Sequence, residues 1–327
     1  LAIEQHVEWL GDFLQHAAAH AITEIEADPP PLPQEEIKES IEFLRWLEAD
    51  HFTFLGYRDS TYENGRMIVN PDSGLGVVRD PTFHVFGGMR NIAELPSEVR
   101  AEIERPILVN IAKGNRLSTV HRPVLLDVIT VKKFDKAGAL TGQWQVIGLF
   151  TSAAYNESVR SIPLLRHKVD ETLKRAGFTP GSHNGKTLVT ILEAFPRDEL
   201  LQDLVDLQYD MAMGILHLQE RQRIALFLRP DTFRRFISCL VYVPRDIYNT
   251  DLRRKFQAIL EQSLHGPVTQ FYTQISDSVL ARLHFIIQTD QLKFPEVEPK
   301  AIEAKLIEAA RSWRDHLSQA LIEAKGE

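Results

Sequence analysis

The chain is poor in several things that would each point to a class of protein. It has a single cysteine, Cys239, among 327 residues. One thiol excludes an intrachain disulfide and a zinc site built from several cysteines, and it fits a reducing compartment, so the expected location is the cytoplasm. Cys239 lies in an apolar run and is read as a small core residue. No stretch of about 18 apolar residues is present to cross a bilayer, and no signal-peptide pattern opens the chain, so no membrane partner is expected. Positive charge is in deficit: 37 Lys and Arg against 45 Asp and Glu give a net charge of −8. That balance argues against nucleic acid as a partner. The 12 histidines show no HExxH or similar spacing. His16 and His20 could meet on a helix face, but Ala17, Ala18 and Ala19 supply no third ligand, so no metal is expected.

What is present describes a globular protein. Hydrophobic residues make up 44% and charged residues 25%, close to the soluble average, and the length allows about two domains. The chain begins at Leu1 and opens within a helical pattern, which leads us to expect a piece of something longer. Ile3, Val7, Leu10 and Leu14 predict a helix running to about Ile25, ended by Asp28 and the run Pro29–Pro33. Residues 1–35 are therefore a helical arm and proline-rich linker.

A second helix is predicted over 35–49, after which the period becomes that of strands. Strands are expected over 52–58 and 66–69, joined by Asn64-Gly65, a strong hairpin signal. Further strands are expected over 106–112, 124–134 and 143–151, a short helix over 97–103, and a helix over 163–176 capped by Gly177. Antiparallel strands with helices before and after them predict an α+β domain over 36–196. A long connecting helix, 197–220, then leads into strand 223–229, strand 235–243, helix 251–264, strand 267–275, strand 279–289 and helix 299–323. This ββαββα order predicts a four-stranded antiparallel sheet with two helices on one face, so 197–327 is a connecting helix and a second α+β domain.

Two glycine-containing strings invite comparison with nucleotide-binding loops. Gly181-Ser182-His183-Asn184-Gly185-Lys186-Thr187 has three residues where the phosphate loop needs four between its glycines, and Pro180 stands where the first glycine should be. Gly74-Leu75-Gly76-Val77-Val78-Arg79 has an arginine in place of the third glycine of a dinucleotide fingerprint. Both are read as turns. Ser118, His121 and Arg122 beside one strand, with Tyr155 and Asn156 after another, could line a polar pocket; helix caps and loop contacts are the competing account. Arg221, Arg223, Arg234, Arg235, Arg245, Arg253, Arg254 and Lys255 are clustered, either as a solvated helix and sheet edge or as an anion or partner surface.

Four strings carry a resemblance. Pro163-Leu164-Leu165-Arg166-His167-Lys168-Val169, Phe178-Thr179-Pro180-Gly181-Ser182-His183, Phe195-Pro196-Arg197-Asp198-Glu199-Leu200, and the run from Phe236 through Pro244-Arg245-Asp246 to Asn249-Thr250 resemble the regulatory amino-terminal part of the large bacterial NAD-dependent glutamate dehydrogenases. The resemblance implies a PAS-like module over 36–196 and an ACT-like module over 197–327. ACT domains usually run βαββαβ, one strand out of step with the order read here. It also implies a parent enzyme that converts glutamate to 2-oxoglutarate with NAD, while this fragment itself holds no cofactor and no catalytic residue. Its expected partners are the catalytic domain of the same chain, further copies in a homo-oligomer, and an amino-acid effector. For the effector carboxylate the candidates are Arg245, Asp246, Asn249 and Thr250, since a helix start offers amides to an anion. The competing readings are a capped turn in a purely structural subunit-interaction module, and an independent enzyme built from the 118–123 and 151–156 loops.

Overall fold

In a computed structural model, the described residues are 19–311 except 81–82, 87–91, 180, 203–204, 220–222, 276–277 and 291–292. The expected arm before residue 19, the helix end beyond 311, His16 and Arg221 lie outside them. The chain divides into two compact units, Leu1–Tyr209 and Asp210–Glu327. The division falls within the expected connecting segment, not at its start at residue 197.

In the first unit, helix α1 (19–27) precedes the prolines, and α2 (Gln34–Trp46) runs into a π-helical turn at Leu47–His51. Strands β1 (Phe52–Glu63) and β2 (Arg66–Val69) form the expected hairpin. Its turn residues Asn64 and Gly65 have φ of 50° and 74°, the double left-handed turn that Asn-Gly adopts most readily. After β3 (Leu75–Gly76) and α3 (Ser97–Glu104) come β4 (Val109–Leu117), β5 (Leu125–Phe134) and β6 (Leu140–Phe150). All pairings are antiparallel, in the order β2-β1-β6-β5-β4, with β3 a side pairing on β1. The first and last strands thus meet in the middle of the sheet.

β5 and β6 are buried along almost their whole length, as strands covered on both faces must be. On one face Leu126, Val128, Ile147 and Leu149 pack against Val78 and Val85. Helices α4 (Ser152–Asn156), α5 (Leu165–Ala176), α6 (His183–Ala194) and α7 (Arg197–Gln202) follow. Gly177 closes α5 in the left-handed conformation, φ 66°, as expected. Three expectations are corrected here. Residues 152–156 are helical and not a loop, and 183–194 form a helix that the periodicity did not announce. The expected single helix over 197–220 is also divided, into α7 and α8 (Val205–Gln219).

The second unit holds the end of α8, then β7 (Ala225–Pro230), β8 (Phe236–Pro244), α9 (Thr250–Leu264), β9 (Val268–Gln274), β10 (Leu280–Gln288) and α10 (Pro299–Ala310). Its sheet is antiparallel, in the order β7-β8-β10-β9. One face of the sheet, including Ile237, Cys239, Val241, Leu283, Phe285 and Ile287, packs under Leu252, Phe256, Leu260 and Leu264 of α9 and Ile302 and Leu306 of α10. The four α9 residues recur every four positions, which puts them on one stripe. Burying each stabilises the unit by about 2 kcal/mol.

The β7–β8 hairpin is tied by Asp231. Its carboxylate accepts from Arg235 Nε at 2.7 Å and Nη2 at 2.9 Å, and from the Phe233 amide at 3.1 Å. Arg235, placed among the surface cations by its sequence context, is therefore a buried hairpin residue.

Candidate functional site

A polar cluster of the first unit is built on a cross-strand pair. Lys113 of β4 stands directly opposite Asp127 of β5, and its ammonium lies 2.6 Å from Asp127 Oδ1 and 3.0 Å from Asp198 Oδ1, in the first turn of α7. The Tyr155 hydroxyl, from α4, donates to the same Asp198 oxygen at 2.9 Å. Asp127 accepts from the Phe150 amide at 3.3 Å. Arg122, from the β4–β5 connection, lies over the Tyr155 ring at 5.5 Å and donates to the Phe150 carbonyl. Sheet, α4 and α7 are joined through these side chains.

The electrostatics set what the cluster can do. Burial alone would drive the Lys113 ammonium towards neutrality, but Asp127 and Asp198 overcome it and hold its pKa well above the ordinary lysine value. Burial raises the Asp127 carboxyl, with Lys113 opposing. Burial and then Asp198 push the Tyr155 phenol up. A permanently charged lysine is neither a general base nor an amine nucleophile. The cluster locks the sheet to α4 and α7.

A second network adjoins α4 and α7. Glu157 Oε2 accepts from Trp46 Nε1 at 2.7 Å and lies 3.0 Å from His51 Nε2, and the Glu157 carbonyl accepts from Arg197 Nη2 at 2.8 Å. Arg197 also reaches Glu193 at 3.2 Å. The Glu193 carboxylate in turn accepts from Ser158 Oγ at 2.5 Å and from the Val159 amide at 3.2 Å.

Of the residues expected to line a polar pocket, Arg122 and Tyr155 come together. The others do not join them through any contact seen among the described residues. The Ser118 hydroxyl donates to the Val120 carbonyl at 2.8 Å and accepts from the Val120 amide at 3.2 Å, a turn closed on itself. His121 is exposed with φ 62°, and Asn156 is exposed at the end of α4. Lys113, Asp127 and Asp198 were missed as a group. The available signal was Asp127, a carboxylate inside an apolar strand, which has to find a cation.

In the second unit, Arg245 and Asp246 are exposed just after β8, and the Arg245 amide donates to the Val279 carbonyl at 2.9 Å. Asn249 caps α9, its Oδ1 accepting from the Leu252 amide at 2.9 Å. Thr250, the first helical residue, is exposed beside it. Arg245 and Asp246 thus lie in the turn after β8, and Asn249 and Thr250 open α9.

Residues of both glycine strings have local structural roles. Ser182 caps α6 through the Gly185 amide at 3.2 Å. Gly76, with φ 61°, lies where a Cβ would meet the Leu55 carbonyl oxygen at 2.1 Å, so its role is backbone packing against β1. Among the described residues, Glu35, Glu39 and His167 have ligand spacing for a metal. Glu39 already accepts from Arg166 Nε at 3.1 Å and the Leu164 amide at 2.9 Å, and the guanidinium beside it disfavours a cation. No described helix is long and apolar enough to cross a membrane.

Comparison with known proteins gives these elements a context. A family model described as glutamate dehydrogenase, ACT2 domain, matches residues 225–314, the sheet and both helices of the second unit. Another, glutamate dehydrogenase, helical motif 1, matches residues 162–221, from α5 to the end of α8. The chain is 39% identical over 300 residues to an NAD-specific glutamate dehydrogenase of Pseudomonas aeruginosa, covering 90% of this chain and 18% of that protein. It is 40% identical over 323 residues to one of Halomonas elongata, covering 97% and 20%. Against one of Mycobacterium tuberculosis the identity is 30% over 288 residues, covering 84% and 17%. The chain spans about a fifth of the length of these relatives. With both family models and this level of identity over most of its length, the chain is a homologue of one segment of the large NAD-specific glutamate dehydrogenases.

Proposed function

We propose that the chain is a non-catalytic regulatory and assembly segment of an NAD-specific glutamate dehydrogenase. The intact protein would deaminate glutamate to 2-oxoglutarate with NAD in the cytoplasm. NAD would bind in the catalytic domain of the same polypeptide, to which this segment would transmit the state of an effector. The observation that carries the reading is the ACT2 match over the second sheet, in a chain whose two glycine strings serve as a helix cap and a strand contact.

The element order supports the ACT-like assignment. Moving β10 and α10 from the end of the unit to its front turns ββαββα into βαββαβ while leaving the sheet order β7-β8-β10-β9 untouched. The PAS-like reading of 36–196 is supported by a single antiparallel sheet whose first and last strands are neighbours. The effector would be an amino acid, its carboxylate held by Arg245 at the start of α9 with Asp246, Asn249 and Thr250 at the same turn. An effector regulates only if it binds two states of the enzyme with different affinity.

Calorimetric titration of the chain with the common amino acids and with NAD tests this. Heat from an amino acid and none from NAD is the expected result. The purely structural reading is favoured by one observation, the Asn249 cap, which already uses the Leu252 amide. Absence of heat from every amino acid, beside concentration-dependent self-association, would establish that reading instead.

A further inference from the structure

Buried arginines in this chain meet carboxylates, Arg197 with Glu193 and Arg235 with Asp231. Arg58 of β1 does not. It is 6% exposed, and its Nη2 donates to two neutral groups, the Val78 carbonyl at 3.0 Å and the Phe83 carbonyl at 3.1 Å. Its Nε is buried without a partner, and no carboxylate lies within ion-pair distance of it among the described residues. Taking a charge out of water without a counter-charge is costly. A buried donor left in this state points to a group supplied from outside the fold.

The strand register extends Arg58 into a polar row. Arg58 stands opposite Gln145 of β6, Gln145 opposite Thr130 of β5, and Thr130 opposite Asn110 of β4. Residues directly opposite share a face of the sheet. It is the face on which Ile147 and Val128, two positions along their strands, pack against Val78 and Val85. Gln145 and Thr130 are each 8% exposed, yet among the described residues their side chains make no hydrogen bond. The next row on this face holds Ser60, Gln143 and Lys132. Lys132 is buried too, and it donates to the Glu102 and Arg105 carbonyls at 3.3 and 2.7 Å. Glu102 and Glu36 act on its charge from beyond ion-pair distance. Two buried cations thus flank amide and hydroxyl groups that the fold leaves free. The first row ends at half-exposed Asn110 on edge strand β4, where a small molecule can enter.

The chemistry of the row selects its ligand. A guanidinium matches a planar carboxylate, while amide and hydroxyl side chains suit the polar substituents of a short chain. A few convergent polar groups beside an apolar wall are the usual make-up of a small-molecule site. We infer that the row Arg58, Gln145, Thr130 and Asn110 is a binding site for a small organic carboxylate, with Arg58 as its counter-charge. The site lies in the first unit and does not depend on effector binding at Arg245.

Isothermal titration of the chain at constant ionic strength tests it, with acetate, succinate, 2-oxoglutarate and inorganic phosphate as probes. The proteins are wild type, Arg58→Gln, Gln145→Leu and Arg245→Ala, each verified as folded by circular dichroism. Gln145→Leu removes a side chain that bonds nothing in the free chain, so it decides the matter alone if Arg58→Gln does not fold. The expected result is saturable binding of at least one carboxylate to wild type. Affinity should fall about tenfold or more in Arg58→Gln and about threefold or more in Gln145→Leu, and stay unchanged in Arg245→Ala. No saturable carboxylate binding, tighter binding of phosphate than of every carboxylate, or wild-type affinity in the folded Arg58 and Gln145 variants would each overturn the inference. Binding lost only in Arg245→Ala would overturn it as well and leave the effector reading of the second unit standing. Carboxylate binding lost in Arg58→Gln, beside a wild type that gives no heat with amino acids, would uphold this site and remove the one at Arg245.

Discussion

Lys113 shows how a single side chain can hold a unit together. With Asp127 2% exposed beside it, replacing Lys113 by Met leaves a buried carboxylate with no cation. We expect a loss of about 3 kcal/mol in urea unfolding, and a loss below about 1 kcal/mol would contradict the account. Lys132 gives a pH signature. It is buried against the end of α3, donating to the Arg105 carbonyl at 2.7 Å, and burial pulls its pKa down to about 8. The unfolded value is about 10.4, so between about 8 and 10 the unfolded chain holds the proton that the folded chain has released. This group's contribution to stability therefore rises over that window, by up to about 3 kcal/mol, and is level below it. Unfolding curves at several pH values should show a rise in wild type relative to Lys132→Met. The charges inside β5 were readable as groups needing partners. Their partners were not readable, because only the β4–β5 register sets Lys113 opposite Asp127 and Lys132 is answered by backbone carbonyls.

Among the elements, the clearest case is α9. Asn249 at its start, Leu252, Phe256, Leu260 and Leu264 on one stripe, and His265 in the left-handed conformation after its last turn, φ 54°, all specify the same helix. Asn249→Ala should cost about 1 kcal/mol, and Phe256→Ala, in a site with no exposed surface, about 3 to 5 kcal/mol; thermal or urea unfolding measures both. This agreement between cap, stripe and end made the ββαββα order legible from sequence alone. The Asn64-Gly65 turn was legible for the same reason, since the dipeptide and its flanking strands point to one conformation. Helix α6 was hidden because its first turn, His183-Asn184-Gly185-Lys186, has the composition of a loop. Only the Ser182 cap marked it, and that serine had been read as part of a polar turn. The long segment after residue 196 was predicted as one helix because its apolar spacing continues from Leu200 to Leu218, and periodicity alone does not register an interruption.

For the whole molecule, the sequence contained the family and the existence of two α+β units, but the boundary between them depends on which contacts close each core, and spacing does not report that. The candidate site was half legible. Arg122 and Tyr155 were named and do meet; Ser118, His121 and Asn156 were named and are used locally or left exposed, since side-chain direction within a turn depends on the backbone the turn adopts. In the proposed regulatory segment the turn at Arg245 recognises an amino acid. Isothermal titration of amino acids into the wild-type chain and into Arg245→Ala, with both shown to be folded, is the decisive measurement. Saturable heat is expected for at least one amino acid in wild type, with an affinity at least about tenfold weaker in the variant, the loss of one charge-assisted contact. Equal affinity in the two proteins would place the effector elsewhere, and no heat in wild type would contradict the claim itself.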